Sequence, residues 1–159
     1  YGEERHFTKI ALAIMQARRQ GPIETTGKLK EIIEGVYGKR GGKTHPATQT
    51  FQALRIACNR ELETVENVLS ALGDIVKPGG RAAVLTFHSL EDRIVKQTFR
   101  RLANPCTCPP KIPVCICGKK PVVRVLGGGG VKPDAEEVER NPRARSAMLR
   151  GCEKLEAQA

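Results

Sequence analysis

Residues 77–93 carry the sequence KPGGRAAVLTFHSLEDR, where the pattern of the chain changes from helical to α/β. The breakers of Lys77–Gly80 end a helical run. Ala82–Phe87 is a short continuous apolar run, which is typical of a strand buried on both faces of a parallel sheet. Ser89 is expected to cap the helix that follows at residues 90–102. A helix, a Pro-Gly-Gly turn and a buried strand in this order favour the later part of a doubly wound α/β sheet.

The chain on either side of this stretch divides into a helical part and an α/β part. Apolar residues recur at spacings of three and four before residue 77, which predicts helices at 3–19, 26–36 and 46–76. After the central helix come a Cys-rich loop, two further strands, a flexible Gly linker and a short acidic helix. Their predicted positions are 104–118 for the loop, 122–126 and 146–155 for the strands, 127–130 for the linker and 134–140 for the helix. The last two strands are expected to pair as a hairpin.

The charge of the chain predicts a polyanionic partner. The 159 residues include 27 Lys plus Arg against 17 Asp plus Glu, a formal net charge of +10. Cations that dock on phosphates release counterions, so this excess favours nucleic acid over mere solubility. No run of 18 apolar residues or signal peptide is visible, so we expect a cytoplasmic protein with no membrane partner. The chain begins at Tyr1 within a helical pattern, and we expect it to be a fragment.

Polar residues directly after the predicted strand Ala82–Phe87 are the first candidates for a site. His88 and Ser89 lie at the carboxyl end of the predicted strand, where open α/β sheets bind ligands, and beside the open N-terminus of a helix. Glu91 and Asp92 follow in the first helical turn, where the helix dipole favours anions. The alternative is that Ser89 is only an N-cap and His88 only a junction residue. The pattern supports both interpretations equally.

Two groups of residues are candidates for binding RNA. Thr48, Gln52 and Arg55 share one helix face, which could contact phosphates, ribose or splayed bases, or could be an ordinary solvated surface. Arg143 and Arg145 stand one residue apart beside a presumed strand start. On an extended chain they would point the same way and could bind phosphate, or they could pair with nearby glutamates.

Four of the six cysteines are clustered in the Cys-rich loop. Cys106 and Cys108 form one Cys-x-Cys pair, and Cys115 and Cys117 form another. Four thiolates could hold zinc, but the pairs are tighter than the usual two-residue gap and no His is nearby in the sequence. Buried free thiols and a labile disulfide are therefore equally open interpretations.

Taken together, several stretches of the sequence resemble the RsmH/MraW family of bacterial methyltransferases. They occur in the same order as in that family and extend over almost the whole chain: YGEER (1–5), HPAT (45–48), TFQALR (50–55), NRELE (59–63), FHSLEDRIVK (87–96) and NPRARS (141–146). The resemblance implies transfer of a methyl group from S-adenosylmethionine to the exocyclic N4 of a cytosine in 16S ribosomal RNA, with the small ribosomal subunit as partner.

The resemblance also implies a fold and a division into parts. The fold would be α/β, with the late strands of a Rossmann-like class I methyltransferase sheet and an α-helical recognition insert. Residues 1–43 would belong to the insert that recognises the substrate, and residues 44–159 to the C-terminal part of the methyltransferase domain. His88 and Ser89 would line the acceptor pocket, with Glu91 and Asp92 as weaker candidates. The RNA would be held by the two groups described above.

The chain departs from the family in what it lacks. It has no Gly-rich turn between a strand and a helix, so we expect no cofactor-binding residues here and an inactive isolated chain that self-associates. We also expect no catalytic metal, because the cysteine cluster occurs in only some members. Gln49 and Cys58 stand where the family usually has Arg and Val. A non-catalytic, basic RNA-binding module in ribosome maturation is the alternative function. An oxidoreductase fragment would share the sheet but would not need the charge.

Overall fold

The computed structural model describes residues 3–38, 45–109 and 114–156, and the chain divides into two compact units. Unit 1 covers Tyr1–Glu61 and unit 2 covers Leu62–Ala159. This division lies later than the predicted boundary between 43 and 44, a position that falls outside the described residues. The difference arises because the start of the third helix packs into the core of unit 1. Whether residue 43 separates two functions stays a prediction.

Three helices build unit 1: α1 (Phe7–Gln20), α2 (Thr26–Tyr37) and α3 (Thr48–Asn59). Their buried residues Ile10, Ile33 and Ala47 form one core. The helix α2 begins where predicted, because the Thr25 side chain accepts a hydrogen bond of 3.1 Å from the Lys28 N–H. The helix α1 begins later than the predicted residue 3, because the Glu4 carboxylate accepts the His6 N–H at 2.8 Å and holds that segment in a turn.

A three-stranded sheet covered by one long helix builds unit 2. In order, the elements are α4 (Glu61–Ser70), α5 (Leu72–Ile75), β1 (Arg81–Thr86), α6 (Ser89–Ala103), β2 (Val123–Val131), α7 (Ala135–Arg140), a 3₁₀ helix (Pro142–Ser146) and β3 (Met148–Lys154). The helix α6 contacts all three strands. The core contains Val95 and Phe99 from α6, Val123 from β2 and Cys152 from β3. Within the described residues, every helix is too short or too polar to span a bilayer.

The sheet confirms the predicted final hairpin, but the burial of β1 differs from the prediction. The strand order is β1-β3-β2, and both pairings are antiparallel. Burial alternates along β1, and Leu85 is 54% exposed, so the prediction of a strand buried on both faces was wrong. An antiparallel sheet can have one face covered and the other solvated, and here α6 covers one face. A parallel sheet is not present among the described residues.

The Gly run 127–130 lies inside β2 and is not the flexible linker that the sequence predicted. The register against β3 shifts between Leu126 and Val131, so these glycines form an irregular, bulged stretch of strand. Gly130 has a φ of 106°, and a Cβ there would lie 2.8 Å from the Met148 Sδ and 3.3 Å from the Arg150 Cζ. Glycine is therefore favoured at residue 130, because other residues rarely adopt this φ and a Cβ would also crowd the Met148 and Arg150 side chains.

A buried ion pair connects this bulge to α6. The Arg150 guanidinium donates to both carboxylate oxygens of Asp92, with Nε–Oδ1 at 2.6 Å and Nη2–Oδ2 at 2.9 Å. Its Nη1 donates to the carbonyl oxygen of Gly129. Arg150 is only 8% exposed. One side chain therefore joins the N-terminal turn of α6, the central strand β3 and the bulge of β2.

We expect Asp92→Ala to cost about 3–5 kcal/mol of unfolding free energy, because it leaves the Arg150 charge buried without its partner. The measurement is urea unfolding of the chain, followed by circular dichroism. Glu136→Ala is the matched control, since it removes a carboxylate from an exposed pair with Arg140 and should cost about 0–1 kcal/mol. Equal costs for the two variants would contradict the assigned role of the buried pair.

Candidate functional site

The junction between β1 and α6 is closed by a capping box that His88 and Glu91 form. The His88 Nδ1 accepts the Glu91 N–H at 3.3 Å, and the Glu91 Oε2 accepts the N–H groups of Phe87 at 3.0 Å and His88 at 3.3 Å. His88, in an extended conformation, is the N-cap, and the prediction of Ser89 as N-cap was wrong. The imidazole nitrogen performs the task that a Ser hydroxyl usually performs at this position. Ser89 is instead the first helical residue and is exposed.

The capping box fixes the orientation of the His88 ring. An Nδ1 that accepts a hydrogen bond carries no proton, so the proton of the neutral ring is on Nε2. That Nε2 lies 3.3 Å from the Glu91 Oε1, and the His88 side chain is 9% exposed. His88, Ser89 and Glu91 therefore lie together at one junction, and their role in a site stays a prediction. The ring of His88 caps α6, so any role of this ring in a site would be performed by a group that is already part of the helix cap.

Asp92, the fourth candidate at this junction, has a structural partner. Its two carboxylate oxygens bind the Arg150 guanidinium, which leaves the carboxylate little capacity for a substrate. Arg150 was not among the residues predicted from the sequence. The available signal was an arginine inside the strand sequence MLRGC (148–152), because a charge in such a strand needs a buried counterion.

The predicted polar face of α3 exists in unit 1. Thr48, Gln52 and Arg55 lie on a single helix at spacings that place them on one side. Thr48 and Arg55 are exposed, and Gln52 is half-buried. The Arg55 guanidinium is bound by both oxygens of Glu61, at 2.8 Å and 3.0 Å. A phosphate that binds Arg55 must compete with that carboxylate.

The second arginine pair lies in unit 2 and has a different geometry from the predicted one. Arg143 and Arg145 belong to the 3₁₀ helix, which begins because the Asn141 side chain accepts the Arg143 N–H at 3.3 Å and Pro142 occupies its first turn. With three residues per turn, side chains two residues apart diverge. The expectation that both point the same way from an extended strand was therefore wrong. Both side chains remain exposed.

A buried carboxylate in unit 1 was not found from the sequence. Glu4 is 8% exposed and accepts hydrogen bonds from the Tyr37 hydroxyl at 2.5 Å and the Thr50 hydroxyl at 3.4 Å. The His6 ring packs edge-on against the Tyr37 ring, with centroids 4.8 Å apart. Desolvation, together with the Glu4 carboxylate, raises the pKa of Tyr37 to about 12. The contact joins residues 33 positions apart, which no local pattern reveals.

The four cysteines of the Cys-rich loop converge on one point. All four Sγ atoms lie within 4.8 Å of one another. Cys106 and Cys115 are exposed and the other two are half-buried, so the interpretation as buried free thiols was wrong. The four are free thiols, without a disulfide among them.

Contacts within the cluster shift the pKa values of Cys115 and Cys117 in opposite directions. The Cys117 N–H lowers the pKa of the Cys115 thiol, but hydrogen bonds with the neighbouring sulfurs outweigh it and raise this pKa to about 12. Donation from the backbone of Lys119 and of Thr107 lowers the pKa of Cys117 to about 6. Sulfurs this close cannot all ionise without a compensating charge.

The described residues offer no glycine-rich turn between a strand and a helix. The turn from β1 into α6 is built from Phe87 and His88, and the Gly run lies within β2. A dinucleotide-like or adenosyl cofactor is held by close backbone approach at such a glycine turn.

Comparison with known proteins gives a consistent result. The sequence model of the MraW methylase family matches residues 1–155. A protein of Symbiobacterium thermophilum named ribosomal RNA small subunit methyltransferase H is 55% identical over 161 residues, which cover 99% of this chain and 50% of that protein. A protein of the same name from Trichlorobacter lovleyi is 55% identical over 98% of this chain and 50% of its own length. The chain spans about half the length of the curated relatives it matches.

We expect unit 1 to lose stability between about pH 10 and about pH 12. The pKa of Tyr37 is raised from 10.0 to about 12, so the stabilisation is complete below the unfolded value and is lost as pH rises through the folded one. Thermal unfolding at about pH 9 and about pH 11 measures the effect. Tyr37→Phe cannot ionise and should show a smaller fall between the two pH values. An equal fall in both proteins would contradict the contribution of Tyr37.

Proposed function

Because this chain belongs to the MraW methylase family, we propose that it is the part of an S-adenosylmethionine-dependent enzyme that recognises RNA and positions the acceptor. The reaction is methylation of the exocyclic N4 of a cytosine in 16S ribosomal RNA. The observation that carries the proposal is the junction of β1 and α6, which presents His88 and Ser89 at the end of a strand on a rigid cap.

The acceptor atom explains why a rigid junction is useful. The lone pair of a cytosine amino group is delocalised into the ring, so the nitrogen is a weak nucleophile. Transfer requires in-line placement of N4 and acceptors for its hydrogens. Ser89 is exposed, so its hydroxyl can accept an amino hydrogen, whereas the Nδ1 of the His88 ring is already occupied by the Glu91 N–H. We assign contact with the amino group to Ser89, positioning of the junction beside it to His88, and orientation of His88 to Glu91.

The methyl donor is proposed to bind elsewhere in the whole protein. S-adenosylmethionine supplies an electrophilic methyl group when bound, and we place its site outside the residues described here. The relatives are about twice as long as this chain, which leaves room for a cofactor domain. We therefore propose that the isolated chain is inactive.

The net charge of +10 supports binding to ribosomal RNA. Phosphate contacts position a protein on nucleic acid, and exposed arginines are suited to this task. Arg143 and Arg145 are exposed, so they are the most available candidates. Thr48 and Gln52 offer hydrogen bonds to ribose or bases, and Arg55 joins them if a phosphate displaces Glu61. The proposed partner is the small ribosomal subunit, and the proposed compartment is the cytoplasm.

Self-association of the isolated chain is proposed from the edge of the sheet. In the described residues, β1 pairs with β3 only, so one of its edges carries unpaired backbone groups. Leu85 and Phe87 are 54% and 51% exposed near that edge. An open edge with apolar side chains favours pairing with a second copy.

One observation favours the alternative, a non-catalytic RNA-binding module. Glu91 and Asp92 both make structural contacts, and the described residues contain no glycine-rich turn between a strand and a helix. Both functions share the RNA contacts. They differ in whether substitution of His88 or Ser89 changes a rate of methyl transfer.

We expect His88→Asn in the full-length protein to lower the rate of methyl transfer by about 100-fold, because it removes the imidazole that positions the junction beside the acceptor. Asparagine is a good N-cap, so α6 should remain folded. The measurement is incorporation of labelled methyl groups into small subunits, with circular dichroism as the check on folding. Thr25→Asn is the matched control, since it exchanges the cap of α2 and should leave the rate unchanged. A normal rate for His88→Asn would remove His88 from the proposed site.

We expect Arg143→Ala/Arg145→Ala to reduce the salt dependence of RNA binding by about two phosphate contacts in a plot of log affinity against log salt. Filter binding of the full-length protein at several salt concentrations measures this slope. Arg81→Ala is the control, because Glu153 already compensates that charge at 3.0 Å. An unchanged slope in the double variant would place the phosphate contacts elsewhere.

A further inference from the structure

The four sulfurs of the Cys-rich loop form a site of defined geometry. The Sγ of Cys115 lies 3.5 Å from that of Cys106, 3.7 Å from that of Cys108 and 3.4 Å from that of Cys117. Cys117 and Cys106 are 3.8 Å apart. A tetrahedron of sulfurs at about 2.3 Å from a zinc ion has edges of about 3.8 Å. The observed separations are those of a tetrathiolate metal site, and they are far longer than a disulfide bond of about 2.05 Å.

The backbone around the sulfurs supports the same assignment. The N–H of Cys117 donates to the Cys115 sulfur, and the N–H of Lys119 donates to the Cys117 sulfur. The same contact, from a cysteine to the N–H two residues later, thus occurs twice in succession. The N–H of Thr107 donates to Cys117 from the other pair. Backbone donors of this kind orient thiolates and disperse their negative charge at metal sites.

The described residues of the loop form no apolar core that would explain the convergence of the sulfurs. Val114 is 70% exposed and Ile116 is 78% exposed. No helix or strand lies among its described residues, 104–109 and 114–118. The hydrophobic effect therefore contributes little to holding the two cysteine pairs together, and small segments of this kind usually depend on a metal or a disulfide.

We propose that Cys106, Cys108, Cys115 and Cys117 bind one structural zinc ion. Sulfur donors in tetrahedral geometry select zinc or iron, and a site closed by four protein ligands leaves no position open for a substrate. Lys119 and Lys120 follow the last ligand and compensate part of the excess negative charge. The zinc site stands independently of the proposed methyltransferase activity.

The ion orders the loop without holding unit 2 together. The Val122 N–H donates to the Leu102 carbonyl at 2.9 Å, so the two ends of the loop are already joined. The core of unit 2 lies on the other side of that closure, around Phe99 and Val123. Removal of zinc should therefore release the loop while the helical and strand content of unit 2 is retained.

Metal content is the first test. The chain produced with zinc in the medium should carry about one zinc per molecule by mass spectrometry of metals. Cys106→Ser/Cys117→Ser should carry less than about a tenth of that amount. Cys58→Ser is the matched control, because this exposed cysteine lies in unit 1, and it should retain the metal. Bound iron in place of zinc would overturn the choice of ion.

Alkylation of the wild-type protein under native conditions is the second test and needs no variant that might misfold. With zinc bound, Cys58 should react quickly while the four ligands are protected. Cys152 should stay protected throughout, because it is 1% exposed. A chelator should make all four ligands reactive, with circular dichroism unchanged. Fast reaction of all four before chelation, or a mass that shows two disulfides, would overturn the proposal.

Discussion

The buried pair between Arg150 and Asp92 is the contact on which the arrangement of unit 2 depends. A guanidinium that is 8% exposed is costly to bury, and two carboxylate oxygens and one carbonyl oxygen satisfy it. The carbonyl belongs to Gly129, and the Gly run bends β2 around the arginine. Arg150 therefore connects the bulge of β2, the strand β3 and the first turn of α6 to one another. Removal of the carboxylate disturbs all three.

The same turn of α6 also carries the proposed acceptor site, so structure and function use neighbouring carboxylates in different ways. Asp92 points its charge at Arg150, and Glu91 folds back to the N–H groups of Phe87 and His88. Two acidic residues in a first turn usually indicate only a favourable interaction with the helix dipole. Here Asp92 connects the helix to the sheet, and Glu91 orients the His88 imidazole. A rigid junction of this kind suits a reaction whose barrier depends on alignment.

Local patterns in the sequence predicted the elements well and their partners poorly. The helical periodicity of α1 to α4 and the apolar run of β1 were visible, because each depends on residues close in the chain. The Gly run was interpreted as a linker, because glycine usually interrupts strands, and its partner Arg150 lies 21 residues away. The contacts of Asp92 with Arg150 and of Glu4 with Tyr37 span 58 and 33 residues and have no local signature. At the junction, the sequence pattern predicted Ser89 as the N-cap, but the cap is His88, and the functional roles of the two residues stay a prediction.

The Cys-rich loop follows a different physical rule from the rest of unit 2. Elsewhere in the unit, burial of apolar residues such as Phe99 and Val123 sets the positions of the elements. In the loop, the apolar side chains of Val114 and Ile116 are exposed to water and the four thiols lie together, the reverse of a hydrophobic cluster. Because a hydrogen bond between Leu102 and Val122 closes the loop at its base, its internal order is decoupled from the fold of the sheet. Four thiolates repel one another when ionised, so a bound cation is a direct source of the attraction that would hold them together.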